Sequence, residues 1–189
     1  MKFLPVLFAA LIAASFSTAA HAAPQTTAAD APTSPTKPAM KFPAAGELPE
    51  INNTAALGRI IKEHGSDLLV LNVWATFCPP CVAELPDFVE VSKTHPEKQV
   101  RFVGLSVDLL EEKPIAEKFL KDHKIPYANF LIYMDDQDFI KFMSDKWEGE
   151  FPGTFIYDKQ GNKVAEFLRP VTREELQTAI DGALKKQGA

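Results

Sequence analysis

Cys78 and Cys81 are the only cysteines of the 189-residue chain, and they enclose two prolines in the segment Cys-Pro-Pro-Cys. At this spacing the two sulfur atoms reach each other when the segment forms the first turn of a helix. A helix start also presents unpaired N–H groups and the positive end of the helix dipole, which stabilise a thiolate. In comparable motifs the cysteine pKa falls from ~8.5 to about 3.5–7.5. We therefore predict thiol–disulfide exchange, with Cys78 as the attacking thiolate and Cys81 as the resolving thiol.

Two other roles for the cysteine pair are less favoured. A static disulfide across so short a loop removes little entropy from the unfolded chain, so it would stabilise the fold poorly. A metal site needs more ligands than two cysteines supply. His64, His95 and His123 are distant from the pair in the sequence, and we interpret them as helix-end or surface residues.

The composition narrows the class of protein. With 20 basic and 25 acidic residues, the chain has a net charge of −5. Nucleic-acid-binding proteins normally carry a basic surface, so no nucleic-acid partner is expected. Hydrophobic residues make up 46% of the chain, which is enough for one domain with a buried core.

The N-terminus has the pattern of a secretory signal peptide. Lys2 precedes an apolar run over residues 3–16, and Ala20-His21-Ala22 supplies the small residues of a cleavage site. We predict a signal peptide over residues 1–22 and export to the periplasm. Because the apolar run is shorter than the ~20 residues of a membrane-spanning helix, an uncleaved N-terminal anchor is the alternative.

The rest of the chain divides into a linker and a domain. Residues 23–45 are rich in proline, alanine and threonine and predict an extended linker. Residues 46–189 alternate helical and strand patterns, and the apolar run from Leu68 to Ala75 predicts a central strand buried on both faces. Further strands are predicted at 100–107, 130–133, 154–157 and 163–168, and helices near 54–64, 82–91, 114–123, 136–147 and from 172 onward. This order predicts an α/β sandwich with a mixed sheet.

The residues around the cysteines resemble a known family. Residues 73–86, Val-Trp-Ala-Thr-Phe-Cys-Pro-Pro-Cys-Val-Ala-Glu-Leu-Pro, resemble the active-site segment of the thioredoxin superfamily and, more narrowly, of the TlpA/ResA-type exported thiol–disulfide oxidoreductases. Residues 151–155, Phe-Pro-Gly-Thr-Phe, are similar to the family's cis-proline loop and the strand that follows it. The resemblance implies a thioredoxin-like three-layer α/β sandwich with a mixed β-sheet and an insert over residues 108–150, before the cis-proline loop.

The resemblance also implies roles for single residues. Glu84 matches a glutamate implicated in the thiol chemistry, which makes it a third catalytic residue beside the two cysteines. Glu84 follows Cys81 by three positions on the same helical face, and a partly buried carboxylate there would have a raised pKa and could relay a proton. Asn72 stands where thioredoxin has a buried aspartate, and asparagine cannot titrate. Residues expected at the substrate-binding surface are Trp74, Phe77, Phe151 and Pro152. For Trp74 the alternative is structural support beside the motif, because core tryptophans are commoner than functional ones.

The expected function is the reduction of disulfides in partner proteins. The resemblance implies a membrane thiol-relay protein as electron donor and no organic cofactor. It also implies a role such as cytochrome c or copper-site maturation. We expect the protein to be a monomer. The first alternative is a disulfide oxidase or isomerase, in which the same exchange runs in the other direction. The second is a copper metallochaperone, because two thiolates can hold Cu(I).

Overall fold

The computed structural model describes residues 40–187, so the predicted signal peptide and residues 23–39 of the predicted linker lie outside the described residues. Within residues 40–45, which the composition assigned to the linker, Met40 and Phe42 are partly buried against the core. The ring of Phe42 meets Phe130 edge-on with ring centroids 6.3 Å apart, and the guanidinium of Arg101 lies 4.1 Å from the centre of the Phe42 ring. Within residues 40–187, no helix is both long enough and apolar enough to cross a membrane.

One mixed sheet of six strands forms the centre of the described chain. Its order is β1-β4-β3-β2-β5-β6, in which the first four strands are parallel and the last two are antiparallel to their neighbours. The strands are β1 (Glu50–Ile51), β2 (Leu68–Trp74), β3 (Val100–Ser106), β4 (Ala128–Ile132), β5 (Gly153–Asp158) and β6 (Lys163–Phe167). Strand β2 therefore lies between β3 and β5, and all of its residues are buried, which confirms the predicted central strand.

Helices cover both faces of this sheet and produce the predicted three-layer α/β sandwich. They are α1 (Thr54–Lys62), α2 (Pro79–Thr94), α3 (Lys113–Asp122), α4 (Asp136–Met143) and α5 (Arg173–Gln187), with a 3-10 turn at Leu110–Glu112. Because side chains alternate along a strand, β2 contributes to two cores. Val70 packs with α2, α3 and α5 on one face, whereas Leu69 and Leu71 pack with α1 and α4 on the other.

The structure differs from the sequence prediction at two places near the edge of the sheet. A first strand was expected in the element order, but the sequence assigned no residues to it, because two residues are too short to show a period. Its pairing with β4 defines it as β1. Helix α4 ends at Met143, since Ser144 takes an extended backbone and caps the helix by donating its N–H to the carbonyl of Ile140. Trp147, which the sequence placed on this helix, therefore lies in the loop that follows.

A substitution at Gly104 tests the close packing around the buried side chain of Trp74. The Trp74 indole Nε1 donates a buried hydrogen bond of 3.1 Å to Asn129 Oδ1. A Cβ added at Gly104 would lie 1.8 Å from that oxygen. We expect Gly104→Ala to lower the free energy of unfolding by about 2–3 kcal/mol, because Asn129 must move and the hydrogen bond is lost.

Urea unfolding measures this loss, and Gly182→Ala in α5 is the matched control. A Cβ at Gly182 meets nothing within 4 Å, so the same substitution there should stabilise the helix by about 0.5–1 kcal/mol. If both variants changed the stability alike, the close packing around Gly104 would be disproved.

Candidate active site

The two cysteines lie where central strand β2 passes into helix α2. Cys78 is the N-cap residue of α2 and has an extended backbone, with φ −101° and ψ 97°. Its N–H donates to the carbonyl of Ala75 over 3.2 Å, which closes the turn between strand and helix. This arrangement presents the first cysteine at the carboxyl end of the strand and at the amino end of the helix, as the sequence predicted.

Cys78 and Cys81 form the predicted disulfide, with an S–S distance of 2.01 Å. Cys78 is 7% exposed, whereas Cys81 is fully buried at 0%. Pro79 and Pro80 carry no N–H, so the first backbone donor of the helix is that of Cys81, which lies 3.3 Å from the Cys78 sulfur. Of the two cysteines, only Cys78 keeps any solvent exposure, and a backbone N–H is directed at its sulfur.

Glu84 is a buried carboxyl one helical turn beyond Cys81, and only 5% of the residue is exposed. Asn72 on strand β2 donates its Nδ2 to Glu84 Oε1 over 2.8 Å, and the backbone N–H of Val171 donates to Oε2 over 3.0 Å. Two neutral donors therefore hold the carboxyl in place next to the helical turn that contains the cysteines. Among the described residues, no cationic side chain donates a hydrogen bond to this carboxyl.

Burial raises the pKa of Glu84 from 4.5 to about 7, although the hydrogen bonds from Val171 and Asn72 act in the opposite direction. The desolvation of the charged form outweighs these two neutral donors. A carboxyl with this pKa populates both protonation states near neutral pH, so it can accept and return a proton there. This agrees with the raised pKa expected from the sequence, and Asn72 leaves Glu84 as the titratable member of the pair.

The loop before strand β5 lies next to the cysteine loop, because β5 is the antiparallel neighbour of β2. The Phe151–Pro152 peptide bond is cis, as the resemblance implied. Val73 pairs with Gly153 across β2 and β5, so Pro152 lies opposite the residues that lead into the disulfide. Pro152 is buried and Phe151 is half-buried, which leaves part of the Phe151 ring at the surface near the cysteines.

Trp147 fixes this cis-proline loop, a role that sequence reasoning missed. Its indole Nε1 donates to the carbonyl of Glu150 over 2.8 Å, and its ring lies 6.2 Å from that of Phe151 and 5.5 Å from that of Phe155. Trp147 and Phe139 are buried in the core, whereas Phe142 of the same segment is 39% exposed.

Two aromatic residues expected at the substrate-binding surface differ in their exposure. Phe77, directly before Cys78, is 59% exposed and lies on the surface. Trp74 is 0% exposed, and its ring stacks on Phe119 with centroids 5.4 Å apart. The placement of Trp74 at a substrate-contacting surface is therefore wrong: it supports the site from within the core.

Asp108 is a second residue that sequence reasoning missed. It is 3% exposed and accepts hydrogen bonds from the Thr76 backbone N–H at 3.0 Å, the Thr76 hydroxyl and the Ser106 hydroxyl. These bonds join the loop after β3 to the loop that carries the disulfide. The sequence did contain a signal for this role. Asp108 is an acidic residue directly after the predicted strand 100–107, which neighbours the strand that leads into the cysteines.

No cluster of three or more histidine, cysteine, aspartate or glutamate side chains with metal-binding geometry occurs in residues 40–187. The chemistry-bearing groups that the structure brings together are thus the two sulfurs and the Glu84 carboxyl. This arrangement can exchange a disulfide and move a proton.

Comparison with known proteins places the chain among thiol–disulfide proteins. The profile of the AhpC/TSA family matches residues 39–165. The sporulation thiol-disulfide oxidoreductase A of Bacillus subtilis is 28% identical over 109 residues, which are 57% of this chain and 63% of that protein. The thiol:disulfide interchange protein DsbE of Haemophilus influenzae is 38% identical over 117 residues, or 62% of this chain and 59% of that protein.

A solved structure extends the likeness to the fold. A DsbF homologue from Corynebacterium diphtheriae matches with a TM-score of 0.55 and 29% identity, over 79% of this chain and 96% of that chain. The predicted thioredoxin-like sandwich is thereby confirmed. The sequence matches span less than two thirds of the length of the two curated relatives.

Proposed function

The chain belongs to the AhpC/TSA family, and from this premise we propose that it is a thiol–disulfide oxidoreductase that reduces disulfides of partner proteins. The observation that carries the proposal is the arrangement of three groups. An accessible Cys78 at a helix N-cap is bonded to a fully buried Cys81, and a buried glutamate with a pKa of about 7 lies one turn further on. The names of the two curated relatives, a thiol-disulfide oxidoreductase and a thiol:disulfide interchange protein, support the same activity.

The proposed reaction begins with both cysteines reduced. The Cys78 thiolate attacks one sulfur of the partner disulfide, so that a mixed disulfide forms and the other partner sulfur leaves as a thiolate. Cys81, once deprotonated, attacks the Cys78 sulfur and releases the second partner sulfur. Two electrons pass from the cysteine pair to the partner, and the protein returns to the disulfide form that the structure contains.

Glu84 serves the second attack. Cys81 is buried, which favours its neutral thiol, so its attack needs a nearby base. The carboxylate one turn beyond it accepts that proton, and the released partner thiolates are protonated from solvent. The redox centre is the cysteine pair itself, and no organic cofactor is required.

The direction and the setting of the reaction are part of the proposal. We favour reduction, with electrons supplied by a membrane thiol-relay protein, as the TlpA/ResA resemblance implies. The N-terminal pattern supports export to the periplasm. Partners reduced there would be proteins such as apocytochrome c or a copper-site protein. We propose that the protein acts as a monomer. The alternative is an oxidase or isomerase that runs the exchange the other way.

The reduction potential decides between these directions. We expect equilibration with glutathione buffers to give a potential at or below about −200 mV, the range of glutaredoxins and thioredoxin. The reduced protein should also reduce insulin. A potential near −120 mV, typical of a strong oxidant, would contradict the reductant assignment and favour the oxidase.

Phe151 tests whether the cis-proline loop contacts the partner. Phe151 is half-buried in the loop that adjoins the end of β2, and it makes no hydrogen bond to either sulfur. An extended partner segment can lie along the backbone of this loop. We expect Phe151→Ala to lower kcat/KM for a protein disulfide by about tenfold, a loss of one apolar contact worth ~1.4 kcal/mol, while a small disulfide reacts as before.

The control for this substitution is Phe142→Ala on helix α4, a ring that is 39% exposed on the opposite face of the sheet from α2. Both variants lose a partly exposed ring, but only Phe151 adjoins the site. Equal losses on protein and small disulfides in Phe151→Ala would mean that the ring acts through packing alone.

A further inference from the structure

Each of three neighbouring parallel strands is followed, within three residues, by a large apolar side chain that is exposed to solvent. Phe77 follows β2, Leu109 follows β3 and Tyr133 follows β4; their exposed fractions are 59%, 63% and 54%. Since neighbouring strands are ~4.8 Å apart and parallel strands end at the same edge, these three residues lie in strand order along the edge of the sheet that carries Cys78. We call Phe77, Leu109 and Tyr133 the apolar strip.

The strip is held in a fixed position relative to the disulfide. Asp108 bonds to the backbone and side chain of Thr76, so the loops that carry Phe77 and Leu109 are tied to each other. The Tyr133 backbone N–H donates to the carbonyl of Ile51 over 2.8 Å, which fixes the end of β4. A preformed apolar surface loses little conformational entropy when a partner binds.

Carboxylates border the apolar strip, whereas basic side chains are absent from the loops that carry it. Residues 107–112 and 133–138 contain no lysine or arginine. Their exposed acids are Glu111, Asp135, Asp136 and Asp138, and Glu112 is half-buried. The nearest base in sequence, Lys113, lies 3.0 Å from Glu50 and is neutralised by it. The loops that carry Leu109 and Tyr133 are therefore both apolar and negative.

We propose that the apolar strip and its bordering carboxylates dock an extended segment of the partner in which apolar and lysine or arginine side chains flank the reactive disulfide. The proposal rests on the proposed function and names the class of its substrate. Apolar contacts with the strip supply affinity, and the carboxylates attract the basic side chains and raise the association rate.

The charge of this surface argues for a basic polypeptide over other occupants. A second copy of the chain would bring the same carboxylates to the contact, and like charges across an interface oppose association. Nucleic acids and anionic membranes are repelled for the same reason. A basic segment is the occupant whose charge complements the acids and whose apolar side chains cover the strip.

Three disulfide substrates test the proposal: a cystine-linked peptide with lysine and leucine flanks, the same peptide with glutamate in place of lysine, and uncharged hydroxyethyl disulfide. At ~20 mM ionic strength we expect kcat/KM for the lysine peptide to exceed that for the glutamate peptide by about tenfold or more. At ~0.5 M salt the ratio should approach one, because screening removes the charge contribution.

Two double variants locate the effect. Glu111→Gln/Asp136→Asn removes two carboxylates beside the strip and should reduce the lysine-to-glutamate ratio at least threefold. Glu97→Gln/Asp122→Asn makes the same charge change at the opposite edge, where the two exposed acids pair with Arg101 and Lys118, and should leave the ratio unchanged.

A third variant tests the apolar part of the surface. Leu109→Ala/Tyr133→Ala should lower kcat/KM about fivefold or more for both peptides and leave hydroxyethyl disulfide unaffected. Equal rates for the two peptides in the unsubstituted protein, or an equal loss in the two charge variants, would overturn the proposal while the proposed function stands. Failure to reduce any of the three disulfides would instead overturn the proposed function.

Discussion

Replacing Cys78 with serine is expected to abolish the reduction of partner disulfides, with a loss of at least ~10³-fold in turnover. The thiolate is the nucleophile of the exchange, and a serine hydroxyl is not ionised near neutral pH. Cys78 is also the sulfur that an incoming disulfide can reach, because Cys81 is fully buried. Insulin reduction with a chemical reductant as electron source measures this loss.

Cys81→Ser is the matched control, because it removes the same disulfide and leaves the accessible thiol in place. This variant should complete the first attack and stop, so that each protein molecule consumes one equivalent of partner disulfide. If Cys78→Ser kept its turnover, or if the two variants exchanged these behaviours, the assignment of attacking and resolving thiols would be wrong.

Glu84→Gln has the second largest expected effect, a slowing of exchange by about 10²-fold at neutral pH. Glutamine keeps the size of the side chain but cannot accept the proton of Cys81. In the unsubstituted protein the rate should rise with pH through an inflection near 7, the pKa of Glu84. In Glu84→Gln that inflection should be absent, and the apparent thiol pKa should be lower, because a carboxylate close to the sulfurs no longer opposes a thiolate.

The same carboxyl should make stability depend on pH. Since burial raises the pKa of Glu84 from 4.5 to about 7, the folded state holds the proton more tightly than the unfolded state. The stabilisation is complete below pH ~4.5 and is lost as pH rises to about 7, a decline of ~3 kcal/mol in the free energy of unfolding. Glu84→Gln should lack this decline.

Urea unfolding of the oxidised protein between pH 4.5 and 8 measures the slope, and Glu174→Gln on the exposed start of α5 is the control. The control should retain the decline seen in the unsubstituted protein. An identical slope in Glu84→Gln would show that the buried carboxyl does not titrate in this range, and the proton-transfer role would be lost with it.

The disulfide and its helix were predictable because their information is local. The spacing of the cysteines, the prolines between them and the apolar run of β2 lie within a few positions of each other. Each of these features acts through the nearest helical turn or strand residues. The position of the cysteine pair at the start of a helix and the burial of β2 therefore followed from the sequence alone.

The supporting residues were harder to predict because distant segments hold them. The Glu84 carboxyl accepts a hydrogen bond from Val171, 87 positions away, and Trp147 reaches the cis-proline loop from beyond the end of α4. For Trp74 the sequence left both a substrate contact and structural support open. Its direction on β2 turns the ring into the core, where Asn129 binds it.

The most direct test of the account is to trap the mixed disulfide. The reduced Cys81→Ser variant is incubated with a disulfide-containing polypeptide, and the covalent complex is digested and mapped by mass spectrometry. We predict one complex that a reductant cleaves, with the partner joined to Cys78. Absence of any complex, while Cys78 reacts readily with a small alkylating agent, would contradict the exchange of partner disulfides through this site.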